Sequence, residues 1–133
     1  RYSQTKLANA AFTACLHEKF ERSELNLKAL VAHPGLAMTD LQTTTVNDGG
    51  MGAMLARQMM KYGQTMEDGA LGIIKCMVDV DAKSGEFYGP GTGMLALKGP
   101  VIKFGLEKFY NNRKTKDLLW TKSCEAIGEE FVV

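Results

Sequence analysis

Leu27-Lys28-Ala29-Leu30-Val31-Ala32-His33-Pro34-Gly35 is the stretch on which the fold turns. Residues 27–32 are short and mostly apolar, the pattern of a parallel strand buried on both faces. Pro34 cannot donate to a ladder and Gly35 frees the turn, so the strand stops at His33. Before it, Tyr2 to Arg22 reads as one helix. Leu7, Ala10, Ala11 and Ala14 line one side, and Ala8, Phe12, Cys15 and Leu16 another, which predicts burial on two sides. After it come a helix over 66–78, a strand over 86–88 and a terminal helix over 117–127. Leu71, Ile74, Met77 and Val78 form the expected core stripe of the 66–78 helix, and Thr65 its N-cap. Gly89-Pro90-Gly91-Thr92-Gly93 reads as punctuation after the last strand. Helix, strand, helix, strand is the α/β alternation of a parallel sheet.

That strand count raises a difficulty. Two strands rarely make a stable sheet, and an interior-type strand with one neighbour leaves an apolar edge bare. Strand count alone therefore says that part of a parallel α/β sheet is missing from this chain.

Composition narrows the function. The chain has 133 residues, 45% hydrophobic and 23% charged, with a net charge of +1. That balance gives no electrostatic case for a nucleic-acid partner. Arg113-Lys114-Thr115-Lys116 reads as a solvated helix start rather than a binding patch. Cys15, Cys76 and Cys124 are odd in number and widely spaced, which fits a reducing, cytoplasmic setting. No cysteine or histidine pair has metal-ligand spacing, so no metal is expected. No apolar run reaches the roughly 18–20 residues of a membrane span. An upstream targeting or membrane segment stays open.

The chemistry concentrates in Tyr2-Ser3-Gln4-Thr5-Lys6-Leu7-Ala8-Asn9. Tyr2 and Lys6 share one face of the helix. A free phenol has a pKa of about 10, too high for a good base near neutrality. An ammonium one turn away favours the phenolate, so Tyr2 could exchange a proton with a substrate alcohol or carbonyl. A second feature is the long connection over 40–64, which carries Met51, Met54, Met59 and Met60 and a short predicted helix over 52–61. Long connections of this type serve as lids or binding loops, and methionine lines adaptable apolar space. Loose core packing is the competing account of the same methionines.

Tyr2-x-x-x-Lys6, followed about 25 residues later by an apolar strand and His33-Pro34-Gly35-Leu36-Ala37-Met38-Thr39, resembles the C-terminal half of a short-chain dehydrogenase/reductase, a Rossmann-type fold. Leu119-Trp120-Thr121-Lys122-Ser123 is similar to the closing segment of that family's retinol-dehydrogenase-like branch. The resemblance implies hydride transfer between an alcohol or carbonyl substrate, apolar by the methionine content, and NAD or NADP. It makes Tyr2 the catalytic acid/base and Lys6 the residue that tunes it and holds the nicotinamide ribose. It sets Tyr2, Lys6, Pro34, Gly35, Leu36 and Thr39 at the cofactor. The resemblance also implies that this chain is the C-terminal part of a doubly wound parallel-sheet fold, its N-terminal strands absent. Homodimers or homotetramers are common in the family, and the two-sided apolar character of the 2–22 helix suits such a contact. The family's glycine-rich phosphate loop and catalytic serine have no counterpart here, so the chain alone is expected to be inactive. Two other readings remain. One is a non-catalytic binding or regulatory protein of the same fold. The other takes Ser3-x-x-Lys6 as the opening motif of a serine acyl-enzyme, with Lys83-Ser84-Gly85 as a loose match to that class's third motif.

Overall fold

The computed structural model describes residues 2–37, 63–92, 97–104 and 110–132, without the side chains of Tyr2 and Thr92. Its elements are α1 (Tyr2–Arg22), β1 (Val31–Ala32), α2 (Met66–Val78), β2 (Phe87–Thr92), β3 (Lys98–Phe104) and α3 (Arg113–Ile127). The strands form one sheet in the order β1-β2-β3. Val31 N–H donates to Glu86 O and His33 N–H to Tyr88 O, both at 3.0 Å. Both residue numbers rise together along these bonds, so β1 and β2 run parallel. The chain divides into two compact units.

The first unit comprises 1–31, 81–87 and 105–133. Alanine supplies much of α1, the residue that loses least on entering a helix. The helix ends where Glu24 takes φ 52°. Leu25 N–H then reaches Phe20 O and Glu24 N–H reaches Glu21 O, so two otherwise orphan carbonyls are satisfied. Ala11, Ala14 and Cys15 are buried, while Leu7, Ala8, Ala10, Phe12 and Leu16 are only half-buried. The expected two-sided burial of α1 is thus replaced by one narrow buried stripe.

That stripe packs on α3. The rings of Phe12 and Trp120 stack at 5.5 Å between centroids, Phe131 lies 5.7 Å from Trp120, and Lys19 Nζ sits 4.3 Å above the indole. Trp120 anchors the terminal helix. α3 starts earlier than the expected residue 117, because Asn112 caps it by accepting from Thr115 N–H at 3.2 Å. Three members of the basic cluster are solvated, but Lys116 is buried. Its ammonium bonds Glu18 on α1 and Asn111 Oδ1.

The expected strand over 27–32 contracts to β1. Leu27 N–H folds back to Leu25 O, and Leu27 is 55% exposed. Ala29 N–H goes to Ser84 Oγ at 3.0 Å and Ala29 O to Gly85 N–H at 2.8 Å. A turn at 83–86 therefore takes groups that a ladder would have used. Gly85 has φ 84° and lies against the His17 ring, where a Cβ would come within 2.7 Å.

The second unit comprises 32–80 and 88–104. Thr65 caps α2 by accepting from Asp68 N–H at 3.1 Å, with Glu67 and Asp68 at the helix's positive end. The buried residues of α2 are Gly69 and Gly72. The expected core stripe is overturned: Leu71 is 45%, Ile74 48% and Val78 70% exposed, and Met77 more so. Leu71, Ile74 and Val78 lie on the face opposite the glycines. Small residues win the inner face because they let the helix backbone approach Ala32, His33, Pro34 and Ala37.

β2 runs on through Gly89-Pro90-Gly91, the stretch expected as punctuation after a strand ending at Tyr88. Glycine at 89 accommodates the His33 ring and glycine at 91 the Ile102 side chain. β3 had no expected counterpart. It is an edge strand, where Pro100 is tolerated.

Candidate functional site

The candidate residues fall into two groups. On α1, Tyr2 is the first helical residue and Lys6 follows one turn later, exposed. The side chain of Tyr2 lies outside the described residues, and so do Thr39, the predicted helix over 52–61 and all of the 40–64 connection before Gly63. Lys6 is an exposed residue of an unbroken helix.

The second group is the turn Pro34-Gly35-Leu36, at the carboxyl end of a parallel strand, the end where open α/β sheets take their ligands. Gly35 has φ 64°, and a Cβ there would meet Leu97 O and Pro90 Cγ, both at 2.5 Å. Only glycine fits this backbone. Pro34 is exposed and Leu36 half-buried. Both backbone N–H groups of the turn, and the carbonyls of Pro34 and Leu36, have internal partners. Gly35 N–H donates to His33 Nδ1 at 3.1 Å, and Leu36 N–H to Leu97 O at 2.8 Å. Pro34 O accepts from Gln64 Nε2 at 2.6 Å, and Leu36 O from Gln64 N–H at 2.9 Å. The turn is thus a braced wall rather than a set of waiting donors.

His33 packs through its ring and accepts a backbone hydrogen bond. Its ring lies over Gly89 and 5.9 Å from the Phe104 ring. Burial holds its pKa below the ordinary 6.5. The bond from Gly35 needs a lone pair on Nδ1, so the neutral ring suits this site. Gln64 was not singled out from sequence. It is a lone glutamine between Gly63 and Thr65, and no local pattern marks it.

Elsewhere, Ser84 Oγ meets His17 Nδ1 at 3.1 Å, and Glu21 lies 3.6 Å from His17 Nε2. With Ala29 N–H also on Ser84 Oγ, this row ties α1 to the 83–86 turn. Burial raises the Cys15 thiol, with Lys116 opposing, and Cys15 Sγ donates to Lys116 O at 3.4 Å. It is a packing cysteine, not a nucleophile. None of Cys15, Cys76 and Cys124 is in a disulfide. Among the described residues no cluster of His, Cys, Asp and Glu could hold a metal, and no helix is long and apolar enough to cross a membrane.

No protein-family model matches this chain, and no solved structure matches it. The chain is similar to retinol dehydrogenase 12 of the mouse, Mus musculus. The two are 22% identical over 132 residues, which is 98% of this chain and 37% of the mouse protein. The chain therefore spans little more than a third of the length of the curated relative it matches.

Proposed function

We propose that this chain is the C-terminal part of an oxidoreductase of the short-chain dehydrogenase/reductase kind, one that interconverts an alcohol and a carbonyl with NAD or NADP. The observation that carries the reading is the occurrence of two features along one chain. One is Tyr2-x-x-x-Lys6 on an unbroken helix; the other is a glycine-dependent Pro34-Gly35 turn at the end of a parallel strand. The similarity to a retinol dehydrogenase supports it. So does the apolar outer face of α2, which a larger domain or a further subunit would cover.

The residues suit a nicotinamide dinucleotide in chemical kind. Lys6 would donate to a ribose hydroxyl. Pro34, Gly35 and Leu36, with Thr39, would form the wall against the ring. Because the N–H groups of Gly35 and Leu36 are engaged, the wall would act by shape. When bound, the dinucleotide supplies or accepts the hydride. Tyr2 holds a proton at the substrate oxygen, giving it up in reduction and taking it back in oxidation. Lys6 favours the phenolate of Tyr2 by charge. Met51, Met54, Met59 and Met60 would give the substrate an apolar surround. A homodimer or homotetramer and a cytoplasmic setting belong to the same reading.

In the complete protein, Tyr2→Phe should lower turnover by about a hundredfold or more, the usual contribution of a positioned acid/base. Dinucleotide affinity should stay near wild type. Lys6→Met should move the alkaline limb of the rate profile upward. Retained turnover in Tyr2→Phe overturns the assigned role. One observation favours the non-catalytic alternative, namely the absence of an uncommitted N–H at Gly35 and Leu36. Titration calorimetry of the wild-type protein with NAD(H) and NADP(H) separates the two readings, since a dehydrogenase must bind one of them.

A further inference from the structure

We propose that Gln64 is a positioning residue that holds the Pro34-Gly35-Leu36 turn in the shape a nicotinamide ring requires. The inference rests on the dehydrogenase reading above. Gln64 is only 7% exposed. Its side-chain Nε2 donates to Pro34 O at 2.6 Å, and its Oε1 accepts from Gly99 N–H at 3.1 Å. Its backbone N–H donates to Leu36 O at 2.9 Å, and Gln64 bridges Ala37 in parallel register. One residue thus holds the carbonyls on either side of Gly35 and ties them to the first residues of β3.

The side-chain type follows from the partners. Pro34 O can only accept and Gly99 N–H can only donate, so the group between them must do both on one plane. An amide of this length does so, and the two partners leave no choice about which end is nitrogen. Leucine does neither. An ionised glutamate keeps the bond from Gly99 but turns an oxygen toward the Pro34 carbonyl.

Gln64 is also fixed from its other side. Thr65 is the cap of α2, and Gly69 on that helix packs against Pro34 and Ala37. The brace is therefore rigid at both ends. Since the turn would meet its ligand by shape, its backbone position is what Gln64 controls.

A brace that merely stabilises the fold and one that shapes the wall predict different things. The test compares two ligands on the complete protein by calorimetry. One is the reduced dinucleotide that wild type binds. The other is the matching ADP-ribose, which lacks the nicotinamide. For Gln64→Leu we expect dinucleotide affinity to fall roughly fivefold to tenfold, the scale of one lost hydrogen bond. ADP-ribose affinity should stay within about twofold, because in this reading the turn would meet only the nicotinamide ring. Gln64→Glu, nearly isosteric, carries the test if the leucine variant does not fold. Against wild type at the same pH, which carries the same His33, it should show the selective loss at about pH 8 and little of it at about pH 5.5, as its buried carboxyl protonates and donates to Pro34 O.

Equal weakening of both ligands, or of neither, in the glutamate variant overturns the proposal and leaves the dehydrogenase reading standing. So does a selective loss with no acid recovery. A wild-type protein that binds neither ligand overturns both.

Discussion

Lys116 in the first unit and Gln64 in the second are the two buried polar side chains among the described residues, and they brace their surroundings in different ways. Lys116 is charged and bonds other side chains, Glu18 on α1 and Asn111 ahead of α3. Gln64 is neutral and bonds backbone, at Pro34, Gly99 and Leu36. A buried charge needs its counter-charge, so the helix pair depends on the identity of one carboxylate. A buried amide needs only correctly placed peptide groups, so the brace at the turn sets main-chain positions whatever side chains surround it. The first arrangement joins two helices. The second shapes a loop, which suits a surface that must fit a ligand.

The largest expected effect is on the charged side of this comparison. Glu18→Ala should leave the Lys116 ammonium buried with Asn111 alone and destabilise the chain by about 3 kcal/mol, the low end for breaking a buried pair. The low end applies because the Glu18 side chain is 38% exposed. Urea denaturation reads it. Lys116→Met should cost less than Glu18→Ala, because the charge it leaves behind, Glu18, is part-exposed and has Arg22 at 3.7 Å. A larger loss in Lys116→Met would show that the pair itself, not the stranded charge, governs stability.

Next come the two buried glycines of α2, Gly69 against Pro34 and Ala37 and Gly72 against Ala32, His33 and Tyr88. A Cβ at Gly69 would lie 2.8 Å from the Ala37 Cβ, so Gly69→Ala should destabilise by about 1–2 kcal/mol through overpacking. At Gly72 the nearest atoms stand at 3.6 Å, ordinary contact. Gly72→Ala should therefore stabilise by about 0.5–1 kcal/mol, the helix-interior difference between the two residues. Thermal melts of the two variants should move in opposite directions. Two shifts of the same sign would refute the close packing of α2 on the turn.

The smallest effect belongs to His33, which accepts from Gly35 beside the Gln64 brace. Its folded pKa lies below the unfolded value of 6.5, so the fold prefers the neutral ring. The stability this contributes is complete above pH 6.5 and is lost as the pH falls through 6.5 toward the folded value. The wild-type urea midpoint should accordingly be lower at about pH 5 than at about pH 7.5. His33→Gln, which cannot titrate, should lack that part of the difference. An equal pH response in both proteins would remove His33 from the account.

Helical spans were readable where local chemistry sets them. Alanine content and the cap at Thr65 place α1 and α2, whereas α3, expected from 117, starts at Arg113 where Asn112 caps it. The face a helix buries was less readable. Apolar periodicity chose Leu71, Ile74 and Val78 on α2, yet close approach to Ala37 and Pro34 required the glycines instead. β3 stayed hidden because Gly99-Pro100 reads as a turn until an edge position makes the proline harmless. Of the candidate site, the Tyr2/Lys6 spacing and the glycine demand at 35 were visible. Gln64 was not, because its partners lie about 30 residues away on either side, at Pro34 and Gly99.

What the sequence determined by itself is what neighbours within a few residues decide: helices, caps and the break at His33-Pro34-Gly35, where short-range hydrogen bonds and allowed dihedrals suffice. The tertiary structure alone decided which faces are buried, how far β1 and β2 extend, and which amide holds the Pro34-Gly35-Leu36 turn. Those outcomes depend on where distant peptide groups and side chains meet, and a buried polar group must find a partner wherever the fold supplies one.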